Sequence, residues 1–323
     1  MLAVAQNPPL DWLLDSDPAI RWQVMRDLTG APADAVAHER GRVTTEGWGA
    51  RLLAARDPDG QWMGGACFPG QGRGEPAPDG GQPWTSTLPV MCELYSFGLD
   101  PATDAAREMT NLVAANCRWE YDGSLFFDGE VEPCINGHTV TLGAYFGADV
   151  GGIVARLLDD QLDDGGWNCE VENGATVSSF HSTICVLEGL LEYERASGSS
   201  DELAAARRRG ETYLLERSLF RRKSTGEVAV EEWLRFSFPT RWHYDVLRGL
   251  EYFRRADVRD PRLAEAIELV RSKRHDDGTW LLENTHRGAV HFELEAGDGR
   301  PSRWNTLRAL RVLGWWDAAD ARV

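Results

Sequence analysis

One five-residue pattern recurs along the chain, with Val or Thr first and apolar residues second and fifth. Its copies are Val24-Met25-Arg26-Asp27-Leu28, Val90-Met91-Cys92-Glu93-Leu94, Thr141-Leu142-Gly143-Ala144-Tyr145, Val186-Leu187-Glu188-Gly189-Leu190, Val246-Leu247-Arg248-Gly249-Leu250 and Thr306-Leu307-Arg308-Ala309-Leu310. The middle residues lie 66, 51, 45, 60 and 60 positions apart. Places one, two and five fall on one stripe of a helix. A second, more polar helix follows nearly every copy. The unit is then a helical hairpin that buries its apolar face only against its neighbours. The pattern predicts an all-α fold of about six hairpins, closed into an α/α toroid around a central cavity. The repeat runs from end to end, so residues 1–323 are expected to form a single domain.

Asp17-Pro18 has the chemistry of a helix start, an acidic cap followed by proline. The inner helices are expected from Asp17, at about 84–97, 137–146, 178–196 and 240–254, and from about 302 to Gly314. Their partners are expected at 46–56, from Asp100-Pro101, and at 150–161, 201–216 and 261–273. The last partner is missing or reduced to the tail from Asp317. Four connections carry an Asp-Gly turn: Asp59-Gly60-Gln61-Trp62, Asp122-Gly123-Ser124-Leu125, Asp164-Gly165-Gly166-Trp167 and Asp277-Gly278-Thr279-Trp280. Asp-Gly suits a turn with positive φ, and the tryptophans read as wedges between hairpins.

Composition narrows the function. The 323 residues are 42% hydrophobic and carry a formal net charge of −17. That charge speaks against a nucleic-acid partner, whose phosphates need a basic surface. No apolar run is long enough to span a membrane, and the N-terminus lacks the basic start of a signal peptide. Six scattered cysteines without a Cys-x-x-Cys pair read as reduced thiols, and a cytoplasmic location is expected.

The segment Gln161-Leu162-Asp163-Asp164-Gly165-Gly166-Trp167 resembles the Gln/Trp repeat of triterpene cyclases. The segment from His243 to Leu250 is similar to the inner helix bearing the zinc-binding histidine in protein prenyltransferase β subunits. The resemblance extends over nearly the whole chain as repeat rhythm. It implies an α/α toroid around an apolar cavity and a protein of terpene cyclase or prenyltransferase type. The Asp-x-Asp-Asp acid motif of the protonating cyclases is missing, and Asp159-Asp160-Gln161-Leu162-Asp163-Asp164 is wrongly spaced to replace it. The resemblance also implies zinc held by an Asp, a Cys and a His, but only His243 matches, so no metal or other cofactor is expected. The alternative is zinc on His181, His243 and Cys169 or Cys134, and Cys134 also stands four residues before His138.

Stepping back five residues from the pattern's centre gives Arg21, Thr87, His138, Thr183, His243 and Arg303, a polar set near the helix starts. In a closed ring, a histidine arc (His138, His181, His243) and an arginine arc (Arg241, Arg303, Arg21) meet at one mouth. Trp84, Phe180, Trp242, Tyr244 and Trp304 lie at the same level. The candidate catalytic residues are His181, His243 and Asp245, a histidine with a carboxylate forming an acid–base pair. The candidate binding residues are His138, Arg241, Trp242, Arg303, Trp304, Asn305, Trp84, Phe180 and Tyr244. The long connection 283–301 is expected to cover this rim, with 64–83 as its counterpart. The ligand is expected to be a small apolar or amphipathic molecule, an isoprenoid first. A non-catalytic sequestering protein, or a hydrolase or lyase using the His/Arg rim, are the alternatives.

Overall fold

The computed structural model describes residues 8–73 and 81–320. It is mostly helical: α1 (Pro8–Leu14), α2 (Pro18–Asp27), α3 (Ala33–Gly41), α4 (Gly47–Ala54), α5 (Thr87–Phe97), α6 (Asp104–Asn116), α7 (Pro133–Phe146), α8 (Gly151–Asp159), α9 (Phe180–Ser197), α10 (Asp201–Leu215), α11 (Val246–Ala256), α12 (Ala264–Ser272) and α13 (Arg303–Asp320). The only strands among the described residues are β1 (Trp280–Leu281) and β2 (Pro301–Ser302), an antiparallel pair that closes the base of the 283–301 connection.

The six helices bearing the repeated pattern follow one another in contact. α2 touches α5, α5 touches α7, α7 touches α9, α9 touches α11, α11 touches α13, and α13 touches α2 again. The intervening helices sit behind them: α3 on α2, α6 on α7, α10 on α9 and α12 on α11. α7 packs closely on α9. A Cβ at Gly137 would lie 2.5 Å from the Cys185 carbonyl, and one at Gly189 would lie 2.4 Å from the Gly137 oxygen. Two glycines therefore set that packing distance. Buried apolar side chains from Leu13 to Val312 form one continuous cluster.

Most boundaries follow local chemistry. The Asp17 carboxylate accepts from the Ala19 N–H at 2.9 Å, and Pro18 opens α2. Gly98 and Gly147 end α5 and α7 at φ 80 and 83. The four Asp-Gly turns all carry positive φ at glycine. Trp62, Trp167 and Trp280 are fully buried and identically held. Each indole N–H donates to the carbonyl ten residues earlier (Leu52, Leu157, Val270), at 2.8, 2.6 and 2.7 Å. Each backbone N–H donates to a threonine of the next patterned helix (Thr87, Thr183, Thr306).

Several expectations move. α1 and α3 appear where no helix was expected. Asp100-Pro101 forms a turn before α6, whose cap is Thr103. The fifth patterned helix starts at Val246, not Thr240, because the Asp245 side chain caps it by accepting from the Arg248 N–H at 2.7 Å. α13 runs through Gly314 to Asp320, and no separate partner follows it among the described residues.

Candidate functional site

A cavity of about 970 Å³ opens between the patterned helices. Five of the six pattern centres line it: Arg26, Cys92, Glu188, Arg248 and Arg308. On α7 the lining falls instead on His138, Thr141 and Tyr145, because Gly143 faces Val150. A patterned helix therefore has two buried sides. One is apolar, against its partner helix; the other is polar, against the cavity.

The wall is dense in ion pairs. Arg248 donates to Glu188 at 2.6 and 3.1 Å, Arg241 pairs with Glu93 at 2.5 Å, and Arg254 pairs with Glu251 at 2.9 Å. Toward the helix C-termini a polar network links the patterned helices. Tyr95 donates to Glu192 at 2.8 Å, and Arg255 donates to both. Gln23 donates to the Ser96 carbonyl at 3.1 Å and accepts from Arg311 at 2.6 Å. Arg311 lies 2.7 Å from Asp27, and Arg40 donates to Tyr145 at 2.8 Å. The helix N-termini and preceding connections supply the other end of the wall. There stand Phe68, Trp84, Phe238, Arg241, Trp242 and Trp304, with Glu132, Cys134, Cys169 and His181 beside them.

Of the twelve candidate catalytic and binding residues, His138, His181, Trp84, Arg241, Trp242 and Trp304 line the cavity; the other six do not. His243 is stacked between Trp242 and His286, at ring distances of 3.7 and 3.8 Å. Phe180 and Tyr244 pack with Trp233 in the core, and Asn305 donates to the Phe236 and Leu281 carbonyls. Arg303 turns away, over Trp12 and onto the Asp15 carbonyl.

The expected histidine–Asp245 pair does not form. The Asp245 carboxylate caps α11 and accepts from the N–H and hydroxyl of Ser237 at 3.1 and 2.8 Å. His181 also loses the role of base. Its Nδ1 accepts from the Tyr244 N–H at 2.8 Å, so in the neutral ring Nε2 carries the proton.

The 283–301 connection packs on the rim. Trp84 donates its indole N–H to the His286 and Arg287 carbonyls, and its backbone N–H to the Ala289 carbonyl. Glu295 accepts from Ser302 and the Trp304 N–H, seating the start of α13. The expected counterpart at 64–83 lies partly outside the described residues.

Donor atoms close enough to share a metal occur, among the described residues, in Glu132, Cys134 and Cys169, all within 4.8 Å. The two sulfurs stand 2.8 Å apart. Two thiolates on one tetrahedral zinc, at about 2.3 Å each, stand about 3.8 Å apart. The arrangement therefore suits sulfur–sulfur contact better than a shared ion.

Burial lowers the imidazole pKa of His138, His181 and His286 to about 4 and that of His243 to about 3. The Arg248 charge adds to burial at His138 and His181, and the His286 ring adds to it at His243. All four are neutral at pH 7. An unfolded histidine titrates near 6.5, so from there down to about 4 the unfolded chain binds more protons, and stability falls as pH falls. Burial raises Glu93, Glu211 and Glu295, which act in the opposite sense. A comparison of variants separates the two contributions. His138→Asn is expected to remove part of the stability loss between pH 6.5 and 5, about 1–2 kcal/mol. Urea unfolding at the two pH values checks this; an unchanged slope would mean His138 is protonated in the fold.

No protein-family model matches the chain, and no curated protein matches it. No helix among the described residues is long and apolar enough to cross a membrane.

Proposed function

We propose that the chain is a single-domain α/α toroid whose central cavity binds an amphipathic small molecule with an anionic group. The cycle of contacts from α2 through α13 back to α2 supports the toroid. The observation that carries the function is the wall's charge. In a protein of net charge −17, the cavity is lined by nine arginines and seven carboxylates. Trp84, Trp242, Trp304 and Phe238 supply apolar faces for the rest of the ligand. A cavity carrying this many ion pairs is a poor host for a wholly apolar chain, since burying them against hydrocarbon would leave charges without solvent. The isoprenoid expectation therefore narrows to an isoprenoid with an anionic head. Recognition is better supported than turnover, because His181 is a donor, His243 is stacked off the wall and Asp245 is a cap.

Tryptophan fluorescence provides the test, since Trp22, Trp84, Trp242 and Trp304 line the cavity. Farnesyl diphosphate is expected to bind at least about tenfold more tightly than farnesol, the value of one charge-assisted contact. Arg26 has the most exposed side chain among the ion-paired arginines of the cavity, at 48%. Arg26→Gln is expected to reduce that preference without unfolding the protein. Equal binding of alcohol and diphosphate would refute the anionic reading. Binding of a fatty acid but neither farnesyl compound would remove the isoprenoid part alone.

A further inference from the structure

Cys134 lies in the first turn of α7, and Cys169 lies in the connection that leads into α9. Their sulfurs meet at 2.8 Å on the cavity wall. The pair is asymmetric. Cys134 is buried, and its thiol donates to the Glu132 carboxylate at 3.4 Å. Cys169 is partly exposed, and its sulfur accepts from the Ser182 hydroxyl at 3.2 Å and from the Cys134 N–H at 3.4 Å. Donors that converge on a sulfur stabilise the thiolate. A partly exposed sulfur stabilised in this way, touching a buried second thiol, is the arrangement of an attacking and a resolving cysteine.

We propose that Cys169 and Cys134 form a reversible oxidation site, in which Cys169 reacts with a hydroperoxide admitted by the cavity and Cys134 closes a disulfide onto it. In the first step the Cys169 thiolate attacks one peroxide oxygen. The O–O bond breaks, a sulfenic acid forms, and the departing hydroxide or alkoxide takes a proton. In the second, Cys134 gives its proton to Glu132 and attacks the Cys169 sulfur. The S–S bond forms, the S–O bond breaks, and hydroxide leaves and is protonated to water. Two thiols and one hydrogen peroxide thus give one disulfide and two waters, and a dithiol reductant reverses the change.

The other cysteines lack these features. Cys67, Cys117 and Cys185 are buried, and burial raises each thiol pKa to about 12; burial raises Cys92 as well. At Cys169 the adjoining Cys134 sulfur, the Ser182 hydroxyl and the Cys134 N–H together outweigh burial and hold the thiol below its ordinary value.

The test exposes the intact reduced protein to limiting hydrogen peroxide, alkylates the remaining thiols and maps the products by mass spectrometry. The expected result is a Cys134–Cys169 disulfide formed before any other cysteine is modified. Cys134→Ser should instead accumulate a sulfenic acid at Cys169, trapped by a dimedone probe. Glu132→Gln should slow closure, seen as a transient sulfenic acid in a protein that is otherwise folded. Cys169→Ser should remove the fast phase of thiol loss and leave only the slow reaction of the buried thiols. Equal reactivity of all six cysteines would overturn the proposal. So would a sulfenic acid in the parent protein that never closes. Stoichiometric zinc with both thiols protected from alkylation, and a sulfur-to-metal charge-transfer band on cobalt substitution, would overturn it in favour of a metal site.

Discussion

Replacing Arg248 by Leu is expected to cost about 3–5 kcal/mol of stability, the range for breaking a buried ion pair from one side. The side chain is only 4% exposed and faces Glu188 across from α9. Burial works against the Glu188 charge, but Arg248 outweighs it and holds the carboxyl below its usual range. The same guanidinium donates to the Arg241 and His243 carbonyls at 3.1 and 2.7 Å. It therefore also fastens the turn before α11, where Arg241 has φ 53. Glu188→Leu leaves those two bonds intact and should cost less than Arg248→Leu. The double variant should cost clearly less than the two single losses combined, because it leaves no unpaired buried charge. Urea unfolding of the four proteins measures the cycle. The sign with pH follows from the lowered carboxyl: the pair's contribution is present above the unfolded value of about 4.3 and is lost as pH falls through the folded value. A loss within about 1 kcal/mol for Arg248→Leu would mean that water reaches the pair and screens it.

This pair also shows where sequence reading stops. Arg248 and Glu188 are pattern centres 60 residues apart. Their identity as centres and the adjacency of their helices were visible, but which side chains meet across α9 and α11 depends on how each helix is rotated, which no local signal encodes. The rhythm of the patterned helices was legible because apolar periodicity is a property of each helix alone. So were Asp17 and Gly98, whose side chain or lack of one decides a helix end. The site was only partly legible. Stepping back from the pattern's centre reached the helix starts. There Thr87 and Thr183 hold the tryptophan turns, and Arg303 faces α1. The better signal stood at the centre itself. Glu188, Arg248 and Arg308 interrupt an otherwise non-polar stretch, and a charge in that position is tolerable only on a helix with a second, polar side. Asp245 misled for a related reason. A carboxylate next to a histidine reads as acid–base chemistry, but at the residue before a helix it is also the preferred cap, and the cap prevails. The Cys134–Cys169 contact, 35 residues apart, had no spacing signature at all.

Trp167→Ala is expected to cost about 3–5 kcal/mol, the range for emptying a buried aromatic site. The indole is completely buried, and its N–H donates to the Leu157 carbonyl at 2.6 Å. Truncation removes the ring from between α8 and α10 and leaves that carbonyl without its partner. The surroundings are poorly placed to collapse into the space. A Cβ at Gly210 would already lie 2.9 Å from the ring, and one at Gly165 would lie 2.7 Å from the Arg209 carbonyl oxygen. The α10 backbone at Gly210 is thus fitted to the indole, and the turn at Gly165 is fitted to α10. Trp167→Phe separates the two losses, since it keeps an aromatic ring but removes the donor; about 1–3 kcal/mol is expected for the unpaired carbonyl and the smaller ring together. Trp62 and Trp280 make the same bonds in their own repeats, so Trp62→Ala and Trp280→Ala should fall in the same range. Denaturant unfolding of the three alanine variants, with ligand affinity measured on the folded fraction, decides the matter. If stability holds and farnesyl diphosphate binding disappears, the tryptophan is a ligand contact and the repeated turn exists for recognition, not for packing.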